Sequence, residues 1–118
     1  MKGPFRLGAL LLGLGALGAL AGPAEIYGKP LRGLSAVPIP ALLASPERYA
    51  GKSVRVAGTG RKGALGLEVA DGEAGLKVAP EGFALPDSAL GSRWTVEGKV
   101  RAEGGGPVLA ASGVEVSR

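Results

Sequence analysis

The chain has 118 residues, enough for one domain, and carries 14 basic and 10 acidic side chains for a formal net charge of +4. It contains no His, Cys, Asn or Gln. Imidazole bases, thiolate nucleophiles, disulfides and the commonest zinc ligands are therefore all excluded.

The first two dozen residues read as targeting. Lys2 and Arg6 form a positive start, Leu7 to Ala21 is apolar or glycine throughout, and Ala19-Leu20-Ala21 is a small-x-small cleavage pattern. Gly22-Pro23-Ala24 offers a second site just before Glu25. These are the three parts of a secretory signal peptide over residues 1–24, with a retained N-terminal anchor as the alternative. A spanning helix needs about twenty strongly apolar residues. This run is shorter, and Gly8, Gly13, Gly15 and Gly18 dilute it. Loss of Lys2 and Arg6 lowers the basic count from 14 to 12 against 10 acids, so the domain at 25–118 carries only +2. Spread along the chain, that charge is a solvated surface and no nucleic-acid footprint.

The remaining elements follow in order. Pro38 to Ala44 predicts one or two helical turns with proline at the start. Ser45-Pro46-Glu47 restarts the same logic, with Ser45 as cap, and Tyr49 is expected to fold back onto Leu42 and Leu43. Gly51 ends the turn. Ser53 to Ala57 alternates, Val54 and Val56 on one face and Arg55 on the other, which predicts a half-buried strand. Leu65, Leu67 and Val69 alternate next, and Asp71-Gly72 marks a hairpin into Gly75 to Val78. Pro80 to Gly91 reads as a loop with a helical turn at Pro86 to Leu90. Arg93 to Ala102 has the cleanest alternation, with Trp94, Val96, Gly98, Val100 and Ala102 on one face. Glu103 to Pro107 is a glycine-rich turn, and Val108 to Val116 is the last strand, bulged at Gly113.

Five short strands must hide their edges. A small five-stranded Greek-key barrel of the OB type, preceded by a short helical turn, does so economically, with an open sandwich as the alternative. Glycines inside strands, Gly58 and Gly98, suit the bends of such a barrel.

Four stretches, "YGKPL", "ALLASPERYAGKSVRVAGTG", "VEGKV" and "ASGVEV", together resemble an uncharacterised family of small secreted bacterial proteins with an OB-like barrel, classed as a domain of unknown function. The resemblance covers most of Tyr27 to Val116 and implies export and the barrel. Members of that family typically carry a C-x-x-K-G-C-W-M motif between the first two strands, which implies metal or redox work. Here Lys62 and Gly63 match, but Ala64, Leu65 and Gly66 stand at the second cysteine, the tryptophan and the methionine, and the first cysteine has no counterpart. The resemblance thus carries over no metal or redox ligand, and no cofactor is expected.

Other motifs are bland. Gly58-x-Gly60 and Gly104-Gly105-Gly106 lack the strand–loop–helix context of a phosphate cradle and read as turns. Asp71, Glu73 and Asp87 sit where turns favour acids for backbone reasons. Trp94, alternating with Val96 and Val100, reads as core. Arg61, Lys62 and Lys77 are the candidate binding residues, a small basic patch at the first hairpin, with a solvated tip as the plain alternative.

The sequence therefore predicts a non-enzymatic exported binding or accessory module of the cell envelope, periplasmic or extracellular. It is expected to be a monomer that meets an envelope protein or a small ligand, and to touch a membrane only through an uncleaved signal segment. Single-stranded nucleic-acid binding is the alternative. It is disfavoured because the second and third strands carry no aromatic on which a base could stack.

Overall fold

A computed structural model describes residues 24–64 and 66–117. The proposed signal segment, apart from Ala24, and Leu65 lie outside the described residues, as does Arg118. The elements are β1 (Glu25–Gly28), α1 (Ile39–Ala44), α2 (Pro46–Tyr49), β2 (Ser53–Gly63), β3 (Gly66–Asp71), β4 (Ala74–Pro80), a 3-10 turn (Asp87–Ala89), β5 (Arg93–Glu103) and β6 (Gly106–Ser117). No helix among them is long and apolar enough to cross a membrane.

The protein is mostly β. One six-stranded sheet has the order β1-β6-β4-β3-β2-β5, and β5 also pairs with β6. Hydrogen bonding thus runs from β6 through β4, β3, β2 and β5 and returns to β6. β4 and β6 are parallel; every other pairing between strands is antiparallel. The long strand β2 makes the ring possible. Its first part pairs with β5, from Ser53↔Lys99 to Thr59↔Arg93, and its second part pairs with β3, from Thr59↔Ala70 to Gly63↔Gly66.

The sheet has six strands where the sequence pattern predicts five. The addition is β1, which pairs Glu25–Gly28 with Val116–Gly113. The chain then turns at Gly28 (φ 72°). Further along, the Arg55 N–H donates to Ser35 O and the Val37 N–H to Arg55 O. One N-terminal arm therefore supplies hydrogen-bond partners to the edges of both β6 and β2, which would otherwise stand open.

The alternation read from sequence packs the core. Val54, Val56, Val69, Leu76, Val78, Trp94, Val96, Val100, Leu109, Val114 and Val116 are buried in one cluster with Ile39 and Leu42 of α1. Tyr49 packs partly buried against that cluster. Ser45 departs from its expected role, because its side chain makes no cap hydrogen bond. Its backbone closes one helix and opens the other: the N–H donates to Ala41 O and the carbonyl accepts from the Arg48 N–H.

Three further readings shift by a few residues. Gly58 and Gly60 lie inside β2 and form no turn, while Gly104-Gly105 do connect β5 to β6. The bulge falls at Ser112, because Glu97 faces Gly113 while Gly98 faces Ala111. Ala102, assigned to the inner face by alternation, is exposed near the tip of the β5–β6 hairpin.

Candidate functional site

The basic patch read from sequence divides. Arg61, Glu68 and Lys77 face one another across β2, β3 and β4. Lys62 faces Leu67. Successive side chains on a strand point to opposite faces, so Lys62 lies on the other side of the sheet from Arg61 and Lys77. Arg61 is also engaged: its Nε donates to Glu68 Oε1 at 3.0 Å and its Nη1 to the Gly72 carbonyl at 3.4 Å. The pair lies low on the sheet, because a Cβ on Gly75 would meet both the Glu68 carboxylate and Arg61 Nη2. Gly63 and Gly75 thus leave room for a guanidinium–carboxylate pair to lie along the strands. Lys77, half-buried, forms no ion pair among the described residues.

The acids do not converge. Asp71 and Glu73 are exposed at the β3–β4 turn, and Asp87 is exposed in the 3-10 turn. No group of three or more His, Cys, Asp or Glu side chains among the described residues could hold a metal ion. Trp94 is fully buried, and its Nε1 donates to the Ala89 carbonyl at 2.9 Å. It offers no exposed face to a ligand.

A cleft of about 530 Å³ lies elsewhere, lined by Gly28, Lys29, Glu81, Gly82, Phe83 and Ser112. Its origin is topological. β4 runs along one edge of β6 as far as Pro80↔Ala111, and β1 runs along the same edge from the other end as far as Gly28↔Gly113. Both strands stop at the bulged Ser112. The Lys29 N–H donates to Ser112 O at 2.7 Å and the Glu81 N–H to Ala111 O at 3.0 Å. Beyond those bonds the two chains turn away, with Gly28 at φ 72° and Gly82 at φ 85°, and the cleft opens between them. Both angles lie in the left-handed region where glycine carries no steric cost.

Phe83 forms one wall. Its ring lies so close to Gly28 that a Cβ there would be 2.7 Å from two ring carbons. Opposite charges flank the opening. Glu81 is tied to Arg101, whose Nη1 is 3.0 Å from Glu81 Oε2 and whose Nε is 3.4 Å from Glu103 Oε2. Lys29 is exposed and has no ion-pair partner among the described residues. At the cleft floor, the Ser112 hydroxyl donates to the Glu97 carbonyl at 3.0 Å.

One faint sign of this site was legible in the sequence. Phe83 is a large aromatic in a Pro- and Gly-rich loop, and it is half-buried with Leu85 against the edge of the core. The convergence of β1 and β4 on Ser112 depends on β1, which is too short to announce itself by pattern.

No family model, no curated protein and no solved structure matches the chain.

Proposed function

We propose that this chain is a non-enzymatic, exported binding module of the cell envelope, built on an OB-like Greek-key barrel, and that it binds through the cleft beside Phe83. The strand order β2-β3-β4-β6-β5, closed by β5 on β2 with β4 and β6 parallel, supports the OB-like reading; β1 is an addition to it. The positive start, apolar run and A-x-A spacing of residues 1–24 support export. The resemblance to small secreted bacterial barrel proteins points the same way.

The observation that carries the binding reading is the cleft itself. Its volume of about 530 Å³ lies within the usual range for a ligand pocket, and it pairs an aromatic wall with a few polar groups. Asp71, Glu73 and Asp87, by contrast, are scattered around the turns, and a general acid–base pair needs two groups within reach of one substrate. The basic hairpin is the weaker candidate, because Glu68 already engages Arg61.

Capture from envelope extract of the native host tests the proposal. Tagged wild-type protein should retain a partner or ligand that Phe83→Ala loses and Arg61→Ala keeps. Retention by Phe83→Ala together with loss in Arg61→Ala would move the site to the hairpin.

A further inference from the structure

The charge balance and hydrogen-bond state of the cleft select a ligand class. We propose that the cleft takes a small carboxylate with a flat apolar body, its carboxylate on the Lys29 ammonium and its body against Phe83. The inference rests on reading this barrel as a binding module.

Four polar groups at the cleft are already committed. The amides of Lys29 and Glu81 donate to β6 carbonyls, and the Ser112 hydroxyl donates to Glu97 O. The Glu81 carboxylate is held by Arg101 at 3.0 Å. The Lys29 ammonium is the remaining side-chain donor in the lining, and it is the charge that no acid among the described residues balances. An anionic head is therefore favoured there over a cationic one, because the Lys29 charge is unmatched while the Glu81 charge is already shared with Arg101. A charged hydrogen bond of this kind is stronger than a neutral one.

The rest of the lining favours an apolar, flat body. Phe83 is the one large apolar side chain among the described lining residues, and rings pair with it in offset or edge-on geometry. The Phe83 ring covers the side-chain position of Gly28, whereas the side-chain position of Gly82 is open, so a flat group can approach the chain closely at Gly82 and meet the ring beside it. Any other residue at those two positions would adopt a strained left-handed backbone, so the walls resist substitution.

The test is amide chemical-shift titration of the purified, isotope-labelled protein with phenylacetate and benzoate, using benzylamine and benzyl alcohol as controls. The two acids should shift the Gly28, Gly82 and Ser112 amides saturably in the millimolar range, and benzylamine should not. Lys29→Gln should weaken the acids about tenfold, the loss expected for one charged contact. Phe83→Leu should weaken them while leaving the core signals of Val96 and Val114 in place, which separates binding from folding. Equal shifts by benzylamine, shifts centred on Arg61 and Lys77, or no saturable response to either acid would overturn the proposal. A captured envelope partner that depends on Phe83, with no response to either acid, would leave the binding module standing and sink this ligand class.

Discussion

The indole of Trp94 occupies the space that a side chain at Gly60 would need. A Cβ built on Gly60 would overlap Cε2, Cδ2 and Cζ2 of the Trp94 ring, and the ring itself is fully buried. β2 can cross so near Trp94 only because position 60 is glycine. Gly60 also fixes the chain leading into β5: its N–H donates to Ser92 O, and its carbonyl accepts from the Gly91 N–H.

Gly60→Ala should accordingly destabilise the domain through overpacking, by about 1–3 kcal/mol or more. In a domain of this size each kcal/mol lowers the melting temperature by about 4–8 °C. Trp94 is the chain's one tryptophan, so its fluorescence reports the transition directly. Trp94→Phe, followed by circular dichroism, should also destabilise, because it removes the indole N–H bond and leaves the Ala89 carbonyl only the longer bond from the Ser92 N–H at 3.3 Å; one lost hydrogen bond costs about 0.5–1.5 kcal/mol. Unchanged melting in Gly60→Ala would contradict this packing.

Arg55 and Glu97 should respond unequally to mutation. The Arg55 Nε is 2.8 Å from Glu97 Oε2, but the Glu97 side chain is 8% exposed and that of Arg55 38%. The backbone of Arg55 bonds to the N-terminal arm, so Arg55 and Glu97 face each other as a non-hydrogen-bonded pair, the closer of the two antiparallel spacings. Arg55→Met strands a buried carboxylate and should cost about 2–4 kcal/mol, somewhat below a fully buried pair because Arg55 is partly solvated. Glu97→Gln leaves Arg55 free to reach water and should cost about 1 kcal/mol. Urea unfolding of both variants settles the order, and a larger loss in Glu97→Gln would reverse the account.

Removing residues 25–34 should lower solubility more than the lost contacts alone imply. Those residues cover the β6 edge at Gly113–Val116 and carry the chain to its bridge with Arg55. Uncovered strand edges pair with other chains. Light scattering at rising concentration should show association in the truncated form and a monomer in the full domain. A monodisperse truncated form would show that the arm is dispensable as an edge cover.

Single-stranded DNA and RNA should not bind saturably in the micromolar range near physiological salt. β3 and β4 carry no aromatic residue, Trp94 is buried, and the Arg61 charge is matched by Glu68. Stacking on exposed aromatics is what such sites use. Anisotropy with labelled oligonucleotides checks this, and salt-sensitive binding lost in Lys77→Glu would restore the nucleic-acid alternative.

What the sequence made legible follows from physical scale. β5 and the first half of β2, Ser53 to Ala57, could be read because Val54, Val56, Trp94, Val96 and Val100 alternate, and the β3–β4 hairpin because Asp71-Gly72 sits between two such runs; the rest of β2 was hidden by Gly58 and Gly60, which read as a turn. Gly72 indeed adopts φ 64° there. β1 was not legible. It has four residues, and Ile26, which by β propensity would announce a strand, is 61% exposed. Its existence depends on the β6 edge it meets, a tertiary fact with no local period. The same holds for the cleft, whose walls come from residues 28–29, 81–83 and 112. The placement of the basic residues was only partly legible: Arg61, Lys62 and Lys77 are close along the hairpin, but strand alternation sends Lys62 to the opposite face, and Glu68 pairs with Arg61.

Site-specific photo-crosslinking in the native host is the most direct test of the central claim, that this barrel binds through the cleft at Phe83. A photoreactive residue would be placed in turn at Phe83, at Glu73 on the β3–β4 turn and at Lys62 on the hairpin. The account predicts a discrete adduct from position 83, absent from positions 62 and 73. Adducts at 62 or 73 with none at 83 would contradict it and move the binding surface to the hairpin face.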